Sequence, residues 1–130
     1  MAAAGDRHTV LIRSDGVAVA FGDNHWHQCD IPKLSEDRTY TDVAAGANHT
    51  ILIDSVGEAR ACGCNRHGQC EIPALPRGLT YTHVAAGAEH TVLIRNDGQA
   101  VACVLQREEQ CAIPELPDGL RYTDVASGWH

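Results

Sequence analysis

Residues 43–53 read VAAGANHTILI, and the same pattern returns 41 residues later as VAAGAEHTVLI from Val84 to Ile94. It stands 41 residues earlier as AAAGDRHTVLI, from Ala2 to Ile12, and a fourth copy begins at Val125 as VASGWH. A fixed period of this length marks tandem structural units, each burying its apolar face only against its neighbours. The units span 2–42, 43–83 and 84–124, with the start of a fourth at 125–130, and we read residues 1–130 as one array.

Superposing the units shows what each requires. A Gly at 5, 46 and 87 is followed by His8, His49 and His90, then Thr9, Thr50 and Thr91. A turn ending in Gly16, Gly57 or Gly98 comes next, then an alanine-rich run, a Gln-Cys-x-Ile-Pro-x-Leu element and Tyr-Thr.

Tyr40 to Ala45 alternates and ends at Gly46, which predicts an inner strand. Thr50 to Ile53 predicts a strand covered on both faces. The Asp15-Gly16 and Asp97-Gly98 pairs predict a tight hairpin with both central residues at positive φ, and Ser55-Val56-Gly57 a weaker one. A third strand is expected at 17–21, 58–62 and 99–103, then an extended connection because each Ile-Pro removes a ladder donor. No segment holds a 3.6-residue apolar period with caps. The class is all-β, a partial β-propeller of about three three-stranded antiparallel blades built on 41-residue repeats.

The chain resembles the regulator of chromosome condensation repeat family through these residues. Val43–Ile53 and Val84–Ile94 carry the family's apolar-small-small-Gly-x-x-His signature, and Ala2–Ile12 carries it with Ala in first place. The family's Gly-x-Asn-x-x-Gly-Gln element is intact at Gly63–Gln69, altered at Gly22–Gln28 where His27 replaces the last Gly, and largely lost at Val104–Gln110. The resemblance implies a β-propeller acting as a non-catalytic protein-interaction scaffold. Its alternative implication is the substrate-binding or regulatory part of a ubiquitin ligase or a guanine-nucleotide exchange factor. Three units fall short of the roughly four to eight blades of a closed propeller, so the chain is read as a fragment of a longer propeller, an open stack, or a half-ring that closes as a homo-oligomer by pairing with another copy.

Composition narrows the partner. A formal net charge of −7 with ten scattered Lys and Arg disfavours nucleic acid and acidic membranes, since phosphate binding needs clustered cations. No apolar run approaches the ~18 residues of a membrane span, and no leader pattern opens the chain. Cys29, Cys70 and Cys111 share one register and Cys62 and Cys103 another, so they read as small packing residues. An intracellular location, cytoplasmic or nuclear, is expected.

His8, His49 and His90 recur in every unit, whereas a general base needs one unique site. They are read as hydrogen-bonding framework, with no catalytic residue, no cofactor and no enzyme activity assigned. Cys62-x-Cys64-x-x-His67-x-x-Cys70 has zinc-type residues at short spacing, but two of its cysteines are repeat-register positions, so no metal site is assigned. Binding is placed on the loops that vary between units. One set comprises Asp6, Arg7, Ala47, Asn48, Ala88, Glu89 and Trp129. The other comprises Asp23, His25, Trp26, His27, Arg66, His67, Arg107 and Glu108.

Overall fold

The computed structural model describes residues 1–66, 68–103 and 122. Among these residues nine strands form three separate three-stranded antiparallel sheets in chain order, and no helix occurs. Blade 1 comprises β1 (Ala2–Ala4), β2 (His8–Ile12) and β3 (Ala18–Gly22). Blade 2 comprises β4 (Tyr40–Ala45), β5 (His49–Asp54) and β6 (Ala59–Gly63), and blade 3 β7 (Tyr81–Ala86), β8 (Thr91–Arg95) and β9 (Ala100–Cys103). These are the all-β propeller blades expected from the repeat. The third strands start one residue later than their apolar runs.

The first strands β1, β4 and β7 lie beside one another, so alanine and glycine crowd where the blades converge. The middle strand β5 is buried along its whole length, as its two-sided apolar pattern requires. Side chains alternate between a trailing face, which packs on the next blade, and a leading face, which packs on the previous one. Val10 and Ile12 of blade 1 thus meet Val43 and Leu52 of blade 2, and Ile51 and Ile53 meet Val84 and Leu93 of blade 3. Val10, Ile51, Leu52 and Leu93 are fully buried, each contributing about 1.5–3 kcal/mol by transfer from water.

Tyr-Thr recurs because each residue has a separate task. Thr41 sits at a register shift in the β4–β5 ladder, where its hydroxyl donates to the Ile53 carbonyl at 3.2 Å; Thr82 does the same for Ile94. The Tyr81 hydroxyl donates to the Pro73 carbonyl at 2.6 Å, and Tyr40 makes the same bond to Pro32. The Ile-Pro connection is therefore fastened to the inner strand that follows it. That strand is pinned to the preceding hairpin by Tyr40 N to Gly16 O at 2.9 Å and Tyr81 N to Gly57 O at 2.8 Å.

The hairpins correct one expectation. Only the glycines reach positive φ (83° at Gly16, 84° at Gly57, 83° at Gly98), and Asp15 and Asp97 do not. The Gly16 N to Arg13 O and Arg13 N to Val17 O bonds form a β-turn followed by a left-handed glycine and an extra unpaired residue, the longer hairpin loop. Because positive φ is needed only at the glycine, Ser55-Val56-Gly57 makes the same turn without Asp. Its carboxylate comes from Asp54 instead, whose Oδ1 accepts from Val56 N at 3.1 Å and Glu58 N at 3.0 Å. Arg38 and Arg60 lie 3.6 and 3.5 Å from the buried Asp54 Oδ2.

Candidate functional site

Both variable loops of a blade open at one end of the structure, opposite the hairpins. The turn after the first strand and the loop after the third are tied by Asp23 N to Arg7 O and Cys64 N to Asn48 O, both 2.8 Å. The second loop is closed from within by asparagine. Asn24 accepts from Cys29 N at 2.8 Å and donates to Asp30 at 2.9 Å; Asn65 accepts from Cys70 N at 2.9 Å and donates to Glu71 at 2.7 Å. Asn24 and Asn65 are thus loop staples.

Beneath these loops lies a buried polar network at each blade boundary. His8 Nε2 stands 2.8 Å from Thr50 Oγ1, and His49 Nε2 stands 2.9 Å from Thr91 Oγ1. The threonine hydroxyls donate their single hydrogen to the carbonyls of Gln28 (2.8 Å) and Gln69 (2.9 Å). Each threonine oxygen must then accept from the histidine, which fixes the Nε2–H tautomer. Nδ1 of both histidines is buried without a partner among the described residues. Burial accordingly lowers their pKa, to about 4 for His49, where the neighbouring His8 and His90 add to the effect. These histidines are neutral hydrogen-bond donors that fasten one blade to the next.

Gln28 and Gln69, which sequence reading did not single out, complete this latch. Their recurrence at the 41-residue period was the available signal. Gln28 also accepts from the backbone NH of Trp26 at 2.8 Å, so the latch positions the rim above it.

On that rim Asp6, Arg7, Asp23, His25, Trp26 and Asn48 line one open depression of about 540 Å³ spanning blades 1 and 2. His25 meets the half-buried Trp26 edge-on at 5.6 Å between centroids. The Arg66 guanidinium reaches across from blade 2 to lie 5.5 Å from the Trp26 ring centroid. Trp26 is thus held between His25 and Arg66, and Asp6, Arg7 and Asp23 line the same depression.

Other candidates fall outside this cluster. His27 bonds Asp30 at 2.8 Å in solvent, and Ala47 N donates to Ala88 O at 3.3 Å, joining two turns. Glu89 lies exposed in the β7–β8 turn. His67, Arg107, Glu108 and Trp129 lie outside the described residues.

Among the proposed zinc-type residues, Cys64 is buried and the Cys70 thiol donates to the Cys64 carbonyl at 3.3 Å. Burial pushes Cys62 to about 12 and Cys70 to about 11, which keeps them as thiols. The five described cysteines, 29, 62, 64, 70 and 103, are all free. Among the described residues no helix is long and apolar enough to cross a membrane.

Comparison with known proteins agrees with this geometry. Residues 40–69 match the Regulator of chromosome condensation (RCC1) repeat, so the chain carries that repeat across blade 2 and its following loop. Prp20p from Saccharomyces cerevisiae, whose binding properties to Gsp1p and histones are described, superposes with a TM-score of 0.69 at 20% identity, covering 78% of this chain and 32% of that one. Human WBSCR16 superposes with a TM-score of 0.69 at 17% identity, covering 79% and 34%. The CRINKLY WD40 ectodomain of the Arabidopsis thaliana receptor kinase ACR4 gives 0.70 at 19% identity, covering 98% and 43%. At these identities the likeness is one of fold. The chain spans about a third of the length of the first solved structures it matches. No curated protein matches it as a relative.

Proposed function

We propose that this chain is a non-catalytic, protein-binding part of a β-propeller, and that the partner docks on the rim around Trp26. One contrast carries the reading. The recurrent His8, His49, Thr50 and Thr91 are buried and spent on joining blades, whereas residues that differ between units gather around one open depression. A fixed frame with varied loops is how a scaffold carries recognition. The recurrent histidines are used in the latch, and no nucleophile, cofactor or metal enters this reading. Nucleic acid and membrane are outside it on charge grounds, and the free cysteines fit an intracellular, reducing setting.

The test is affinity capture with the full chain as bait, followed by titration of the captured protein. Trp26→Ala is expected to weaken binding at least about tenfold. Arg13→Ala, at the hairpin end, is expected to leave it unchanged. Equal and negligible losses would remove the rim from the account.

The second reading, a regulatory part of an exchange factor or a ubiquitin ligase, draws on the neighbour that binds Gsp1p and histones. Accelerated nucleotide release from a small GTPase by this chain would favour it over a passive scaffold. Closure of the ring by a second copy is compatible with either reading.

A further inference from the structure

At the hairpin end, opposite the rim, the connection after each of the first two blades leaves a groove. The first lies between the Gly16 turn and residues 31–40 and holds about 360 Å³. The second lies between the Gly57 turn and residues 72–79 and holds about 600 Å³. Arg38 lines both, so the two adjoin.

The grooves share a frame and differ in charge. In each, a hairpin glycine, an Ile-Pro connection and the tyrosine of the next strand meet, tied by the Tyr40 and Tyr81 bonds described above. Ile72 and Leu75 pack on the buried core beneath the second groove. Its hairpin adds Val56, 47% exposed, at the position of Asp15 and Asp97 in the other units. Arg77 stands where the first unit has Glu36 and the third Asp118. At two positions, then, the second groove lacks a carboxylate that both other units carry, and has an apolar side chain at one and a cation at the other.

Its cations are available. Arg38 meets Glu58 at 3.0 Å and the buried Asp54 at 3.6 Å through Nη1 alone, so the guanidinium is anchored while its Nε and Nη2 bond no described residue. Arg77 is exposed and makes no hydrogen bond or ion pair with any described residue. Glu58, the one carboxylate among the described residues lining the groove, faces Arg60 as well as Arg38. Arg38, Arg60 and Arg77 thus outnumber Asp54 and Glu58 locally, on a chain whose formal net charge is −7.

We propose that the second groove docks an extended peptide in which acidic and apolar side chains alternate. Its carboxylates meet Arg38 and Arg77, and its apolar side chains lie on Val56, Leu75 and Pro76. Charge complementarity selects this occupant, since a guanidinium with a free edge takes a carboxylate through two parallel hydrogen bonds. The exposed apolar lining favours a peptide over a bare polyanion, which would leave Val56 uncovered. The first groove, which carries Asp15 and Glu36, is not the site.

The test is fluorescence anisotropy of a short fluorescein-labelled peptide of alternating Glu and Leu, titrated with the full chain at about 0.05 M salt. Saturable binding is expected below about 1 mM, weakening at least about tenfold at about 0.5 M salt. Arg77→Glu, which restores the carboxylate of the first unit, should weaken binding at least about tenfold. Val56→Asp, which restores the side chain of the other hairpins, should do the same. Both native side chains are exposed, so each variant should melt within about 3 °C of wild type. A probe with Lys in place of Glu should not bind, nor one with Ser in place of Leu.

No saturable binding by about 1 mM would overturn the proposal. So would equal binding of the Lys or the Ser probe, which would mean adsorption by apolar area or by charge alone. Binding that survives either Arg77→Glu or Val56→Asp would place the probe elsewhere and contradict it. The rim is a separate site: Trp26→Ala should bind this probe as wild type does, and a loss there would move the probe to the rim. Capture of a partner through Trp26 should in turn persist in Arg77→Glu, so failure of one reading does not carry the other.

Discussion

Acidification should loosen the blades before it touches the carboxylates. His49 is fully buried, its Nε2–H is given to Thr91, and its Nδ1 has no acceptor for a second proton. Its pKa falls from 6.5 to about 4, first because burial disfavours the charged ring and then through repulsion from His8 and His90. The unfolded chain therefore takes up a proton near pH 6.5 that the folded chain refuses. The stability His49 contributes is complete above pH 6.5 and is lost as pH falls toward 4. At about 1.36 kcal/mol per pH unit per proton, His49 alone accounts for about 3 kcal/mol. His8 and His90 are lowered by burial as well and act in the same direction. Asp15, Asp30, Asp37 and Asp97 are held below 3.8 by local hydrogen bonds, so their contribution disappears only at lower pH. Urea unfolding at pH 7.5, 6.5, 5.5 and 4.5 is the assay. Wild type should lose about 2–3 kcal/mol or more across this range, and His49→Gln should be less stable at pH 7.5 but lose less on acidification. A wild-type stability that is flat from pH 6.5 to 4.5, or an equal slope in His49→Gln, would refute the neutral-latch assignment.

Three further outcomes follow from particular contacts. A Cβ on Gly46 would collide with the His49 ring and the Gly87 carbonyl of the next blade, so Gly46→Ala should cost about 2–3 kcal/mol in urea unfolding. His27 holds φ 64° where the intact loop has Gly68 at 74°, and its bond to Asp30 is exposed. His27→Gly should therefore raise stability by about 0.5 kcal/mol, read as a higher urea midpoint. With Cys62 and Cys70 held as thiols by burial, purified protein should carry less than about 0.1 zinc per chain by elemental analysis.

The fold was legible because repetition averages out local ambiguity. Tyr40–Ala45 needed no structure to be placed as an inner strand, nor did the two-sided burial of β5. The hairpin type was not legible, because Asp-Gly serves both the two-residue turn and the longer loop, and only the backbone distinguishes them. Nor was the exchange in blade 2, where Asp54 takes over a bond made by Asp15 and Asp97 elsewhere. It required seeing two backbone amides converge on one carboxylate from a different register position. The latch was half legible. The period marked the histidines as framework, but their acceptor lies 42 residues away and the third member is a main-chain carbonyl, which no side-chain pattern reports. The rim residues were found by their variation between units, yet the reach of Arg66 from blade 2 over Trp26 of blade 1 depends on how adjacent blades are turned.

The separation of frame from rim is tested most directly by measuring melting temperature and partner affinity together for Trp26→Ala and Thr91→Val. Trp26→Ala should keep the wild-type melting temperature and lose affinity about tenfold or more. Thr91→Val, which leaves the buried His49 without its acceptor, should lose about 1–3 kcal/mol of stability and retain affinity under conditions where it is folded. The reverse pattern, with binding lost through Thr91 and stability lost through Trp26, would contradict the account.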